Sequence, residues 1–140
     1  MEVPSCIPLT TYALKRIYPP MPWPVLLHPR FAAEVEALEP EVQDALFAVA
    51  RLLGDAGPLL KRPHCDTLAG SRHANMKELR FDTASGVWRV AFAFDPVRQA
   101  MLLVAGDKSG VKQTRFYKQL IATADMRFAE HVAALDLKGV

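Results

Sequence analysis

The apolar positions of this chain change their period several times, and each change marks an element. "PVLLH", Pro24 to His28, is a short apolar run with a proline tolerated at its start, and it predicts a strand. From Pro29 the period becomes helical, because Phe31, Val35 and Leu38 recur at spacings of four and three. Pro40 suits the first turn of a second helix, where an N–H would have had no intrahelical partner. Val42, Ala45, Leu46, Val49 and Leu53 form the apolar stripe of that helix, and "GDAG" ends it. Two helices joined this closely predict a helical hairpin. "PLLKRPHCDTLAGS" follows as a loop, broken by Pro63 and Gly70.

Alternation with period two takes over next. "MKELRFD", "VWRVAFAFD" and "QAMLLVAGD" are strand-like runs separated by "TASG" and "PVR", connections short enough for antiparallel hairpins. In the middle run Val90, Phe92 and Phe94 share one face and Arg89, Ala91 and Ala93 the other, so the aromatic face is assigned to the core. After "DKSG" the residues Phe116, Leu120, Ile121, Ala124, Phe128, Val132 and Leu135 mark a C-terminal amphipathic helix. The predicted order is β-α-α-β-β-β-α. It describes a small antiparallel-rich sheet in an α+β domain, with a helical hairpin on one side.

Composition narrows the class. At 140 residues, 51% of them hydrophobic, the chain suffices for one domain with a core and not for two. Seven of the eleven prolines lie within the first 29 residues, so residues 1–22 read as an irregular extension and residues 23–140 as the domain. Met21, just before the first expected strand, is read as a candidate alternative start. No run of about 18 apolar residues is present to span a bilayer, and the first twenty residues lack a secretory apolar region, so a cytoplasmic protein without membrane contact is expected. Cys6 and Cys65 stand alone, with no CxxC pair, and His64 beside Cys65 has no second pair to complete a zinc site. Neither a disulfide framework nor a metal is expected. The net charge of +2 hides an asymmetry: Pro29 to Gly57 holds two basic and six acidic residues, whereas Lys61 to Lys118 holds eleven basic and five acidic. An anionic partner should therefore meet the second half.

Alternation also sorts the charged residues of "SRHANMKELRFD". If Leu79 and Phe81 face the core, Glu78 and Arg80 point to the opposite, open face, where Arg89 emerges opposite Glu78 on the next strand. Arg72 and His73 are expected to border that region, whereas Lys77 falls on the buried face. A carboxylate beside two guanidiniums can cleave RNA: a base takes the ribose 2′-hydroxyl proton, cations hold the phosphate, and an acid protonates the leaving 5′-oxygen. Arginine suits the phosphate because its planar fork makes bidentate contacts and stays protonated. Lys108, Arg115, Tyr117 and Lys118 add candidates near the sheet edge, Tyr117 by stacking or proton sharing. The plainer reading of Glu78 and Arg89 is a solvated cross-strand ion pair, and of His64 and His73 surface histidines. Trp88, Phe92, Phe94 and Phe116 belong to the core, and "GDKSG" lacks the order of a P-loop.

The stretches "DTLAGSRHANMKELRFD", "WRVAFAFDPVRQAMLLVAGDKSG" and "RFYKQLIATAD", in that order and spacing, resemble the RelE/ParE superfamily of toxins, in its phage-derived HigB-like branch, over roughly Val25 to Val132. The resemblance implies a toxin of a type II toxin-antitoxin system, paired with an antitoxin that is usually a helix-turn-helix protein. It implies metal-independent cleavage of mRNA in the ribosomal A site, an mRNA interferase that inhibits translation. Carried over by position, phosphate handling falls on Arg80, Arg89 and Lys108, and Tyr117 matches the tyrosine or histidine that some members use. Glu78 and Lys77 compete for the proton-accepting role. The ending "GDKSG" departs from members with a histidine or arginine there, which leaves the acid unassigned. The ParE branch instead inhibits DNA gyrase without a nuclease site, and a degenerate copy would only bind its antitoxin.

Overall fold

The period-two runs build the sheet that organises the molecule. In the computed structural model, which describes residues 6–9 and 22–137, the strands are β1 (Ile7–Pro8), β2 (Val25–Leu27), β3 (Cys65–Thr67), β4 (Lys77–Thr83), β5 (Gly86–Phe94) and β6 (Ala100–Asp107). The helices are α1 (Pro29–Glu36), α2 (Pro40–Ala56) and α3 (Gln113–Leu137), with a 3-10 turn at Gly57–Leu59. The sheet order is β1-β2-β6-β5-β4-β3, and every neighbouring pair is antiparallel except β2 with β6. This is the expected α+β architecture, with the meander β4-β5-β6 at its centre and the helical hairpin between β2 and the rest.

Two strands go beyond the expected order. The segment expected as one loop contains β3, which pairs Cys65 with Leu79 and Thr67 with Lys77. Within the proline-rich extension, Ile7–Pro8 pairs with Leu26 and Leu27, and Leu9 is buried. Residues 1–5 and 10–21 of that extension lie outside the described residues.

Local chemistry sets the helix ends. The His28 side chain accepts the Arg30 N–H at 3.1 Å and caps α1, and Pro29 and Pro40 open α1 and α2. Gly57 ends α2 at φ 57°, in the left-handed region, and a Cβ there would meet the Trp23 ring at 2.3 Å.

Both faces of the sheet are covered. Phe31, Val35, Leu46, Val49 and Leu53 of the hairpin pack on Leu79, Val90, Phe92 and Leu102. On the other face Phe116, Leu120, Ala124 and Phe128 of α3 pack on Met76, Ala91, Ala93, Met101 and Leu103. The face expected to be open is therefore largely closed by α3, because Ala91 and Ala93 are small enough for a helix to lie close. A bulge between Ala91 and Phe92 turns the consecutive residues Leu103 and Val104 toward α3. Arg127 pins α3: its guanidinium meets Glu34 at 2.8 and 2.6 Å and donates to the Leu103 carbonyl at 2.8 Å. No helix among the described residues is long and apolar enough to cross a membrane.

Gly106 sets how closely α3 approaches β6. A Cβ built there would lie 2.8 Å from Phe116 Cε1, so Gly106→Ala must displace the Phe116 ring or the start of α3 that carries it. Overpacking of this kind costs about 1–3 kcal/mol. Thermal denaturation of Gly106→Ala should show that loss, and an unchanged midpoint would mean that Phe116 gives way freely.

Candidate functional site

The charged residues of β3, β4 and β5 form two rows that cross the sheet on the α3 side. In the first row Asp66 pairs with Glu78, which is opposite Ala91. In the second row Arg80 pairs directly with Arg89, and Arg89 is opposite Gly106. Like charges oppose each other within each row, which is unfavourable by itself, and unlike charges meet between the rows. Glu78 Oε1 lies 3.8 Å from Arg89 Nε and 3.9 Å from Arg80 Nε. Asp66 Oδ2 lies 3.8 Å from Arg80 and 2.6 Å from Arg62. One carboxylate thus holds the inner ends of two guanidiniums that face each other.

The register corrects one expectation. Glu78 and Arg89 share a face, as alternation requires, but they are diagonal neighbours: the residue opposite Arg89 is Arg80. The cluster is also no solvated surface pair, since Glu78 and Arg89 are each 5% exposed. Arg89 donates to the Trp88 carbonyl at 2.8 Å and approaches the exposed Asp82 at 4.0 Å. Glu78 Oε2 and Arg89 Nε, both buried, have no hydrogen-bond partner among the described residues.

Tyr117 comes from α3, one residue after the Phe116 that rests on Gly106. Its hydroxyl donates to Glu78 Oε1 at 3.2 Å. Burial pushes the Glu78 carboxyl above its ordinary value, while the Tyr117 hydrogen bond and the charges of Arg89 and Arg80 pull it back only in part. Burial, and then the Glu78 charge, push the Tyr117 hydroxyl up as well. Glu78 therefore sits where a carboxyl accepts a proton more readily than in water.

The raised Glu78 value fixes a pH dependence. The folded chain binds this proton more tightly than the unfolded chain, so stability is greatest below the ordinary carboxyl value and falls as pH rises through the raised one. Denaturant midpoints from about pH 4 to about pH 7 should show wild type losing stability relative to Glu78→Gln. A difference that stays constant with pH would remove the shift.

The other candidates are placed apart from this cluster. Lys77 lies beside Cys65 and Thr67 with Leu60 and Lys61, on the face away from Glu78. Lys108 follows β6, with its N–H bonded to the Val87 carbonyl at 2.8 Å, and forms no ion pair among the described residues. Arg115 and Lys118 are exposed on the first turns of α3. Arg72 and His73 were expected beside the cluster but are tied further along α3. Ser71 donates to Asp125, the Arg72 N–H donates to it at 3.1 Å, and the His73 ring meets Phe128 edge-on at 4.9 Å.

The arginine row opens into a cleft of about 590 Å³, lined by Arg62, Pro63, His64, Arg80, Phe81, Asp82 and Arg89. It exists because β3 pairs with Lys77 to Leu79 and the turn before it reaches no further than the Arg80 N–H through the His64 carbonyl, which leaves Phe81 and Asp82 at the sheet edge. Asp66 and the Arg62–His64 wall are the parts that sequence reasoning missed. Period-two alternation in "HCDT" is the only signal for them, and four residues are too few to show it.

Comparison with known proteins follows the same segment. Residues 33–129 match the family described as phage-derived protein Gp49-like. The chain is 44% identical over 108 residues to the candidate toxin HigB2 of Mycobacterium tuberculosis, an alignment covering 76% of this chain and 53% of that protein. It is 39% identical over 110 residues to the candidate toxin HigB3 of the same organism, covering 79% of this chain and 94% of the relative. The chain thus spans about half the length of the first of these relatives and nearly all of the second. No solved structure gives a significant match.

Proposed function

Because this chain belongs to the family of phage-derived Gp49-like proteins, we propose that it is the toxin of a toxin-antitoxin pair and an endoribonuclease acting on ribosome-bound mRNA. The observation that carries the chemistry is the direct pairing of Arg80 with Arg89, backed by Glu78 and opening into the cleft. Two facing guanidiniums are suited to a phosphate, whose oxygens accept their forks and relieve the like-charge contact. Glu78 takes the 2′-hydroxyl proton, a role that suits a carboxyl whose affinity for protons is raised by burial. Tyr117 holds Glu78 Oε1, which leaves Oε2 for that proton. Substrate reaches Glu78 when the half-buried Arg80 side chain swings its fork onto the phosphate. No metal enters this scheme.

Lys108, Arg115 and Lys118, with Arg72, His73 and Lys77 further out, supply positive charge for ribosomal RNA, where phosphate contacts carry much of the affinity. The toxin names of the relatives support the pairing with an antitoxin. An acidic segment that folds on binding would complement the basic second half of the chain, and a helix-turn-helix protein encoded next to this one is the expected partner.

Induction of the protein without its partner tests the reading. Protein synthesis should stop before DNA supercoiling changes. Failure of supercoiling and replication while translation continues would replace the nuclease with gyrase inhibition. Unimpaired growth would leave only an antitoxin-binding module.

A further inference from the structure

The endoribonuclease reading supplies a base and a phosphate clamp but no group to protonate the leaving oxygen. We infer that His64 is that general acid, placed in the arginine row and facing the same cleft; the inference rests on the endoribonuclease reading of this site.

The Arg80 N–H donates to the His64 carbonyl at 2.8 Å, which continues the register in which Cys65 pairs with Leu79 and Asp66 with Glu78. His64 is thus the neighbour of Arg80 on the side away from Arg89. His64 itself sits in the turn that leads into β3, two residues before Asp66. The row across the sheet runs His64, Arg80, Arg89, and all three line the cleft. His64 is exposed, and its ring forms no hydrogen bond or ion pair among the described residues.

Chemistry then selects His64 among the lining groups. A guanidinium is no proton donor for this chemistry, which sets aside the three arginines of the lining. Asp82 is a carboxyl that already approaches Arg89 at 4.0 Å. Pro63 and Phe81 have no labile side-chain proton. Tyr117 does not line the cleft, and its hydroxyl proton is engaged with Glu78. Histidine is the side chain that ordinarily changes charge near neutrality, as a proton donor in this reaction must.

The geometry also separates the two proton transfers. Glu78 is buried beside Tyr117 and does not line the cleft, while His64 is exposed and lines it beyond Arg80. In-line displacement at phosphorus needs its base and acid on opposite sides of the phosphate. The ribose 2′-oxygen bonds to phosphorus as its proton passes to Glu78. The bond from phosphorus to the 5′-oxygen breaks as that oxygen takes a proton from the His64 imidazolium. A 2′,3′-cyclic phosphate and a 5′-hydroxyl result. One proton is taken up and one is given, so no co-reactant is required.

An mRNA carrying sulfur in place of the bridging 5′-oxygen tests the assignment, because a thiolate leaves without protonation. On ribosomes programmed with all-oxygen mRNA, His64→Ala and His64→Gln should cleave about 10²–10⁴-fold more slowly than wild type. On the sulfur-bridged mRNA both variants should return to near the wild-type rate, whereas Arg89→Ala stays slow on both substrates. Wild-type cleavage of the all-oxygen mRNA by His64→Ala, or equal slowing on both substrates, would overturn the acid role while leaving the nuclease intact. Wild-type protein that leaves the all-oxygen mRNA uncut would overturn the nuclease reading and the acid role together. Equal thermal midpoints of wild type and His64→Gln check that the fold is kept.

Discussion

Arg89→Ala is expected to slow cleavage of ribosome-bound mRNA by about 10²–10³-fold, the usual effect of removing one preorganised donor from a developing charge. The residue is 5% exposed, sits opposite Arg80 and lies 3.8 Å from Glu78, so on the proposed nuclease reading it would serve both the phosphate and the carboxylate. Its loss should also lower stability. Breaking a buried ion pair from one side costs about 3–5 kcal/mol when the partner is left uncompensated. Here the cost should fall toward the lower end, since Arg80 remains 3.9 Å from Glu78. Arg89→Lys separates the two effects: the charge stays near Glu78 and the fold holds, but the planar fork is gone and cleavage still falls. Single-turnover cleavage alongside denaturant unfolding measures both. An Arg89→Ala protein that cleaves at the wild-type rate would take this residue out of the chemistry.

Phe92→Ala is expected to cost about 3–5 kcal/mol, the range for truncating a buried aromatic core residue. Phe92 is 0% exposed toward the C-terminal end of β5, where it packs under the helical hairpin and meets the Phe94 ring edge-on at 5.6 Å. The helices above it are fixed by their own stripes and cannot collapse fully into the space, so a cavity term adds to the lost burial. Leu59 is the contrast: 78% exposed in the 3-10 turn, it should change stability by no more than about 0.5 kcal/mol when replaced by alanine. Denaturant midpoints of the two variants side by side measure the difference. Similar midpoints would mean that the core between sheet and hairpin is not where the stability lies.

The long periodic segments were legible from the chain alone because each repeats its pattern several times. β4, β5 and β6 span seven to nine residues, and α3 places Phe116, Leu120, Ala124 and Phe128 four apart. β1 and β3 were not legible, since two or three residues cannot display a period and their pairing is decided by the strand they join. The shared face of Glu78, Arg80 and Arg89 followed from alternation. Which residue faces Arg89 did not, because a register shift of two leaves every side chain on its face and changes only its partner. The tight turn that pairs Thr83 with Gly86 is what sets Arg80 opposite Arg89. Tyr117 meets Glu78 only because Gly106 lets α3 settle on β6, a long-range contact that no local pattern announces. The alanines at 91 and 93 were assigned to an open face, yet their small size is what admits α3.

The most direct test of the central claim is to map the 5′ ends of mRNA on translating ribosomes after adding the purified protein. The proposed nuclease predicts new ends within the codon in the A site, bearing 5′-hydroxyls, and their loss with Arg80→Ala or Arg89→Ala. Intact ribosome-bound mRNA in the presence of a protein that still arrests growth would contradict the nuclease assignment.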